Sequence, residues 1–164
     1  MAKRILIPIL SGVWIDYSSA ALSAARIARK SDGIVRLAYL SPLPPPRVDR
    51  HDRVVADTDR EMARITAGAL ERLATLVSEM EGVPVEVVVR FGRLSAELSI
   101  EAEVFEADLV ALAAPPESRL RDRVRAWQLR RAALASKVPL ILLPPLSAGA
   151  DARPGGAVAA PALR

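Results

Sequence analysis

The apolar residues of this chain gather into five short runs, and this grouping constrains the fold more than any single motif. The runs lie at residues 4–10, 34–40, 83–89, 108–113 and 140–143. Each has the length of a strand, and none approaches the roughly 18–20 apolar residues that a membrane span needs. The first, Arg4-Ile5-Leu6-Ile7-Pro8-Ile9-Leu10, is almost continuously apolar, as expected of a strand covered on both faces in a parallel sheet. Between the runs lie stretches with helical spacing. Asp16 or Ser18 is placed to cap a helix carrying Ala21, Leu22, Ala25, Ile27 and Ala28, which stops near Ser31-Asp32-Gly33. Met62, Ile65, Ala69, Leu73, Leu76 and Met80 recur every three or four residues, which predicts a long helix from about Arg53 to Glu81, ended by Gly82. Ser95 stands where an N-cap belongs for a helix to about Glu106, and a last helix is expected over about 119–135. Strand and helix alternate throughout. The pattern predicts an α/β fold with five parallel strands and crossover helices.

A chain of 164 residues, 51% of them hydrophobic, supports one domain with a substantial core. That domain is expected over residues 1–144. Residues 145–164 turn to Pro, Ala, Gly and Ser without patterning and are expected to form a flexible tail. Pro42, Pro44, Pro45 and Pro46 forbid regular structure after the second strand and favour an extended segment. The N-terminal apolar run contains Pro8 and lacks a cleavage site of small residues, so it reads as a strand and not as a secretory leader. The absence of cysteine excludes disulfides and thiolate chemistry and suits a cytoplasmic protein.

The net charge of +4 is a weak basis for nucleic-acid binding, yet it is unevenly spread. Residues 119–131 hold six arginines against the single Asp122. Two readings fit: a solvated helix face, or an anion site with Arg119, Arg121 and Arg123 on its rim. Catalytic constellations are scarce. His51 is the only histidine and sits in a polar loop beside Asp49 and Asp52, a poor metal site and a poor base. Glu101 and Glu103 are two positions apart and point to different faces of a helix, so they cannot flank one substrate. No enzyme, metal or cofactor is expected.

Several of these features together resemble the universal stress protein family. Arg4-Ile5-Leu6-Ile7-Pro8-Ile9 is similar to its first strand. Gly92, the helix after it, the step Ala107-Asp108-Leu109-Val110 and Pro139 opening the fifth strand are similar to its second half. The resemblance implies a Rossmann-like, doubly wound sheet in the order 3-2-1-4-5 with helices on both faces. It also implies a homodimer paired through the fifth strand, and Val138, Leu140, Ile141, Leu142 and Leu143 form an apolar edge suited to that role. Nucleotide-binding members carry an Asp at the end of strand one and a Gly-x2-Gly-x9-Gly-Ser/Thr loop after strand four. Here the Asp position falls on Leu10, the glycines on Ala113, Pro116 and Ala126, and the hydroxyl on Trp127. Glycine lets backbone N–H groups approach phosphate, whereas proline lacks the donor and tryptophan fills the space. ATP binding in the family's usual mode is therefore not expected.

In doubly wound sheets ligands bind beyond the strand ends where the order reverses, here between strands one and four. Trp14, Tyr17, Tyr39 and Trp127 are expected to border that crevice, with Pro8, Leu10, Leu40, Leu112 and Ala113 as apolar walls. They either plug it or line a pocket for an aromatic or anionic small molecule. The expected function is a non-enzymatic, homodimeric regulatory or interaction protein of universal-stress type; the alternative is a sensor of a small ligand other than ATP. Nucleic acid and membrane insertion are not expected, and an unidentified protein partner stays open.

Overall fold

β1 (Arg4–Leu10) occupies the centre of a five-stranded parallel sheet and is buried along nearly its whole length. The computed structural model describes residues 3–12, 17–51, 53–114, 123–124, 127–128, 130–131, 133 and 138–143. The chain continues through α1 (Tyr17–Ser31), β2 (Ile34–Ser41), β3 (Arg47–Val48), β4 (Val54–Ala56), α2 (Thr58–Glu79), β5 (Val85–Phe91), α3 (Leu94–Val104), β6 (Leu109–Ala113) and β7 (Leu140–Leu143). The sheet runs β5-β2-β1-β6-β7. With the short β3–β4 ribbon set aside, this is the expected order 3-2-1-4-5.

Alternation along β1 sends its side chains to two cores. Ile5, Ile7 and Ile9 pack with α1 and α2, where Ala20, Ala24, Ala28, Ala69 and Leu73 supply the helix faces. Leu6 and Leu10 pack on the other side with Leu98 and Ala102 of α3, with Phe105 at its C-terminal cap, and with Ala133 of the last helical segment. The alanines of α1 let that helix lie close on the sheet. At the base, Asp108 ties β6 to β1: its Oδ2 accepts the Arg4 N–H at 2.8 Å, while its own N–H donates to the Arg4 carbonyl at 2.9 Å. This double contact accounts for the Ala-Asp-Leu-Val step. Gly33 lies against the Lys3 backbone, where a Cβ would collide with the Lys3 carbonyl.

Several boundaries differ from expectation. α2 begins at Thr58 and not at Arg53, because Val54–Ala56 pair antiparallel with Arg47–Val48. Asp57 caps it by accepting the Arg60 N–H at 2.9 Å. Its last helical residue is Glu79, and Gly82 turns the chain at φ 73° just beyond. Ser95 lies inside α3, whose N-cap is Arg93 without a side-chain hydrogen bond. Ser18 likewise lies inside α1, and Asp16 lies outside the described residues. Residues 145–164 also lie outside them. No helix among the described residues is long and apolar enough to cross a membrane.

Under α3 lies a charged cluster that the apolar pattern conceals. Glu101 is fully buried, and its two oxygens accept from Arg36 Nη1 at 2.6 Å and Arg90 Nε at 2.7 Å. Arg36 also reaches Glu86 Oε2 through its Nε at 2.7 Å, and its guanidinium lies 4.2 Å from the centre of the Phe105 ring. The cluster fastens α3 to β2 and β5. Glu103, by contrast, is exposed. Glu101→Ala takes from Arg90 its carboxylate partner and from Arg36 one of two, Glu86 remaining, and is expected to lower stability by about 3 kcal/mol. Glu103→Ala is expected to stay within about 0.5 kcal/mol of wild type. Urea denaturation of both variants distinguishes them.

Candidate functional site

The reversal of strand order places the candidate site between the C-terminal ends of β1 and β6. On one side of β1, pairing with β2 continues from Arg4↔Ile34 to Leu10↔Leu40. On the other side, pairing with β6 stops after Ile5↔Leu109 and Leu6↔Val110. The cause lies in the sequence. Successive residues of a strand address opposite neighbours, so Leu6, Pro8 and Leu10 face β6, and Pro8 has no N–H to give. The ladder opens there.

Leu10 then has an N–H turned toward the opening. The Tyr17 hydroxyl accepts it at 2.9 Å, while the next N–H, that of Ser11, donates to the Leu40 carbonyl at 3.0 Å on the β2 side. The half-buried Tyr17 thus folds back from the first turn of α1 and stands at the mouth between β1 and β6, its ring packed on the α1/α2 core. Gly12, at φ 66°, turns the chain out of the sheet. The described residues at these two strand ends, Leu10, Ser11, Gly12, Leu112, Ala113 and Ala114, carry no charge.

The expected site residues divide between the two faces of the sheet. Pro8 is buried in β1 beside Ala38. Leu10, Leu40 and Leu112 are buried on the α3 side. Tyr39 and Ala113 are buried on the opposite side, in the core that Tyr17 joins. Trp127 joins neither core; it is half-exposed, with the Arg131 guanidinium 5.0 Å from its ring centre. Arg123 is exposed. Trp14, Pro116, Arg119, Arg121 and Ala126 lie outside the described residues.

At the far edge, β7 pairs with β6 alone among the described residues, from Val110↔Leu140 to Ala113↔Leu143. Leu143 is buried and Leu142 is 50% exposed; Val138, Leu140 and Ile141 are partly buried. His51 is an exposed loop residue whose N–H donates to Asp49 Oδ1 at 2.7 Å. The backbone N–H groups of Arg53 and His51 hold the Asp49 carboxyl below its usual range. No group of metal-ligating side chains occurs among the described residues. The Glu101 cluster is what reading the sequence missed. Its signal was a charge inside an apolar run, Arg36 in Ile-Val-Arg-Leu-Ala-Tyr-Leu, which demands a buried partner.

Comparison with known proteins bears on this geometry. The model of the universal stress protein family matches residues 1–144. No curated protein matches the chain. Similar solved structures include a member of that family from Burkholderia pseudomallei, at 15% identity and TM-score 0.61, covering 88% of this chain and 97% of that one. A universal stress protein from Lactobacillus plantarum is 18% identical at TM-score 0.58, covering 87% and 97%. One from Archaeoglobus fulgidus, in complex with dAMP, is 18% identical at TM-score 0.56, covering 87% and 99%. Such identities speak for the shared fold alone. The match across the whole described sheet, with the strand order and the Asp108 step in place, makes this chain a member of the universal stress protein family.

Proposed function

We infer that this protein is a non-enzymatic regulatory or interaction module of universal-stress type, a homodimer through β7, that does not hold ATP in the family's usual mode. One observation carries the reading: the backbone N–H at the mouth of the crevice is already occupied by Tyr17, beside strand ends that bear no charge. Leu10 stands where nucleotide-binding members of the family have an aspartate, so the adenosine contact lacks its acceptor. Ala113 and Pro116 replace two of the phosphate-loop glycines.

The edge chemistry supports a two-fold partner. Among the described residues β7 has an open side, and it carries no charged residue, a combination that promotes aggregation unless covered. β5, at the other edge, carries Glu86 and Arg90 and is guarded by them. A second copy placed across a two-fold axis closes β7 on itself.

A second reading has support from the relatives. One is in complex with dAMP and another with cAMP, each an aromatic ring with a single phosphate. A small ligand of that kind asks less of the lost phosphate loop than ATP does, and it fits a sensor that releases Tyr17 on binding.

Isothermal titration calorimetry with magnesium-ATP is expected to give no binding heat at millimolar nucleotide; a micromolar Kd overturns the main reading. The same titration with dAMP and cAMP decides the second. Tyr17→Phe deprives the Leu10 N–H of its acceptor and is expected to cost about 1 kcal/mol in thermal or urea unfolding, without creating ATP binding. Light scattering after size exclusion is expected to give the dimer mass, and Leu142→Glu to give a folded monomer. A wild-type monomer at micromolar concentration sinks the dimer.

A further inference from the structure

The geometry points to a peripheral docking surface for anionic lipid bilayers on the last helical segment, centred on Trp127. Arg123, Val124, Trp127, Gln128, Arg130, Arg131 and Ala133 are helical. Ala133 is fully buried against Phe105, Val110 and the rest of the α3-side core, which fixes the inward face of the segment. Outward of that buried alanine, two large apolar side chains meet solvent: Val124 is 48% exposed and Trp127 is 55% exposed.

Cations surround this apolar pair. Arg131 follows Trp127 by one turn and covers its ring at 5.0 Å, and Arg123 and Arg130 flank it, all three exposed. The complementary partner is therefore anionic outside and apolar just beneath. A phospholipid headgroup layer has that profile: arginines meet phosphates while tryptophan and valine enter the acyl boundary.

Other occupants fit less well. Single-stranded nucleic acid offers phosphates and stacking faces, but Val124 has no use there. Ring platforms for bases employ several aromatics, whereas among the described residues this surface holds one, with Arg131 already over its ring. A second copy of the chain across a two-fold axis would bring arginines against arginines.

Co-sedimentation of the full chain with phosphatidylcholine vesicles, with and without phosphatidylglycerol, tests the assignment. Binding is expected only with phosphatidylglycerol and is expected to weaken as salt is raised. Arg130→Gln and Arg131→Gln are each expected to lower partitioning about five-fold, with an unchanged thermal midpoint. In a Trp14→Phe background, emission from Trp127 is expected to shift to the blue on anionic vesicles. No sedimentation, or equal binding to both vesicle types, overturns the assignment. Preferential capture of a single-stranded oligonucleotide overturns it in favour of nucleic acid, and lipid-independent self-association that shields Trp127 overturns it in favour of a second copy.

Discussion

A proline without an N–H in the central strand sets the layout of this molecule. Because a strand addresses its two neighbours in alternation, Pro8 breaks only the β6 side of β1 and leaves the β2 side intact through Leu10. The sheet stays whole as a scaffold and opens at one place. That place is the reversal of strand order, where doubly wound folds put their ligands. What happens to the next outward-facing N–H, that of Leu10, then decides whether the opening is a vacancy or a closed joint. Tyr17 closes it.

The two halves of the sheet are held by different physics. The α1/α2 side is an alanine-rich packing surface in which small side chains bring helix and sheet together. The α3 side adds a buried carboxylate between two arginines, with Phe105 stacked beneath one of them. Such a cluster is a weak source of net stability but a demanding one: it has one arrangement that satisfies every partner. It therefore fixes where α3 sits, and with it the wall formed by Leu10, Leu40 and Leu112.

Most of the architecture was legible in the sequence because it rests on burial, and burial leaves a pattern. The five apolar runs became the five sheet strands, and the 3-4-4-3-4 spacing in α2 marks its packed side. Features that rest on pairing were harder to read. The β3–β4 ribbon forms from Arg47–Val48 and Val54–Ala56, whose valines are exposed and carry no periodic signal, so that stretch read as loop and helix. Ser95 has the chemistry of a cap, yet α3 starts one residue earlier without a side-chain cap. Glu101 was rightly separated from Glu103 by face, but its burial depended on two arginines distant in sequence. At the crevice, the replacement of the aspartate position by Leu10 was visible, whereas the backbone bond to Tyr17 was not. Trp127, which the motif assigns to the crevice, is half-exposed with the Arg131 guanidinium over its ring.

The account stands on one hydrogen bond, and that bond has a direct readout. Amide hydrogen exchange at Leu10, followed by NMR in the absence and presence of ATP, reports whether the N–H is sequestered. The account predicts slow exchange in the free protein, no change on adding ATP, and marked acceleration in Tyr17→Phe while Ile9 keeps its protection. Rapid exchange at Leu10 in the free protein, or new protection there when ATP is added, contradicts it.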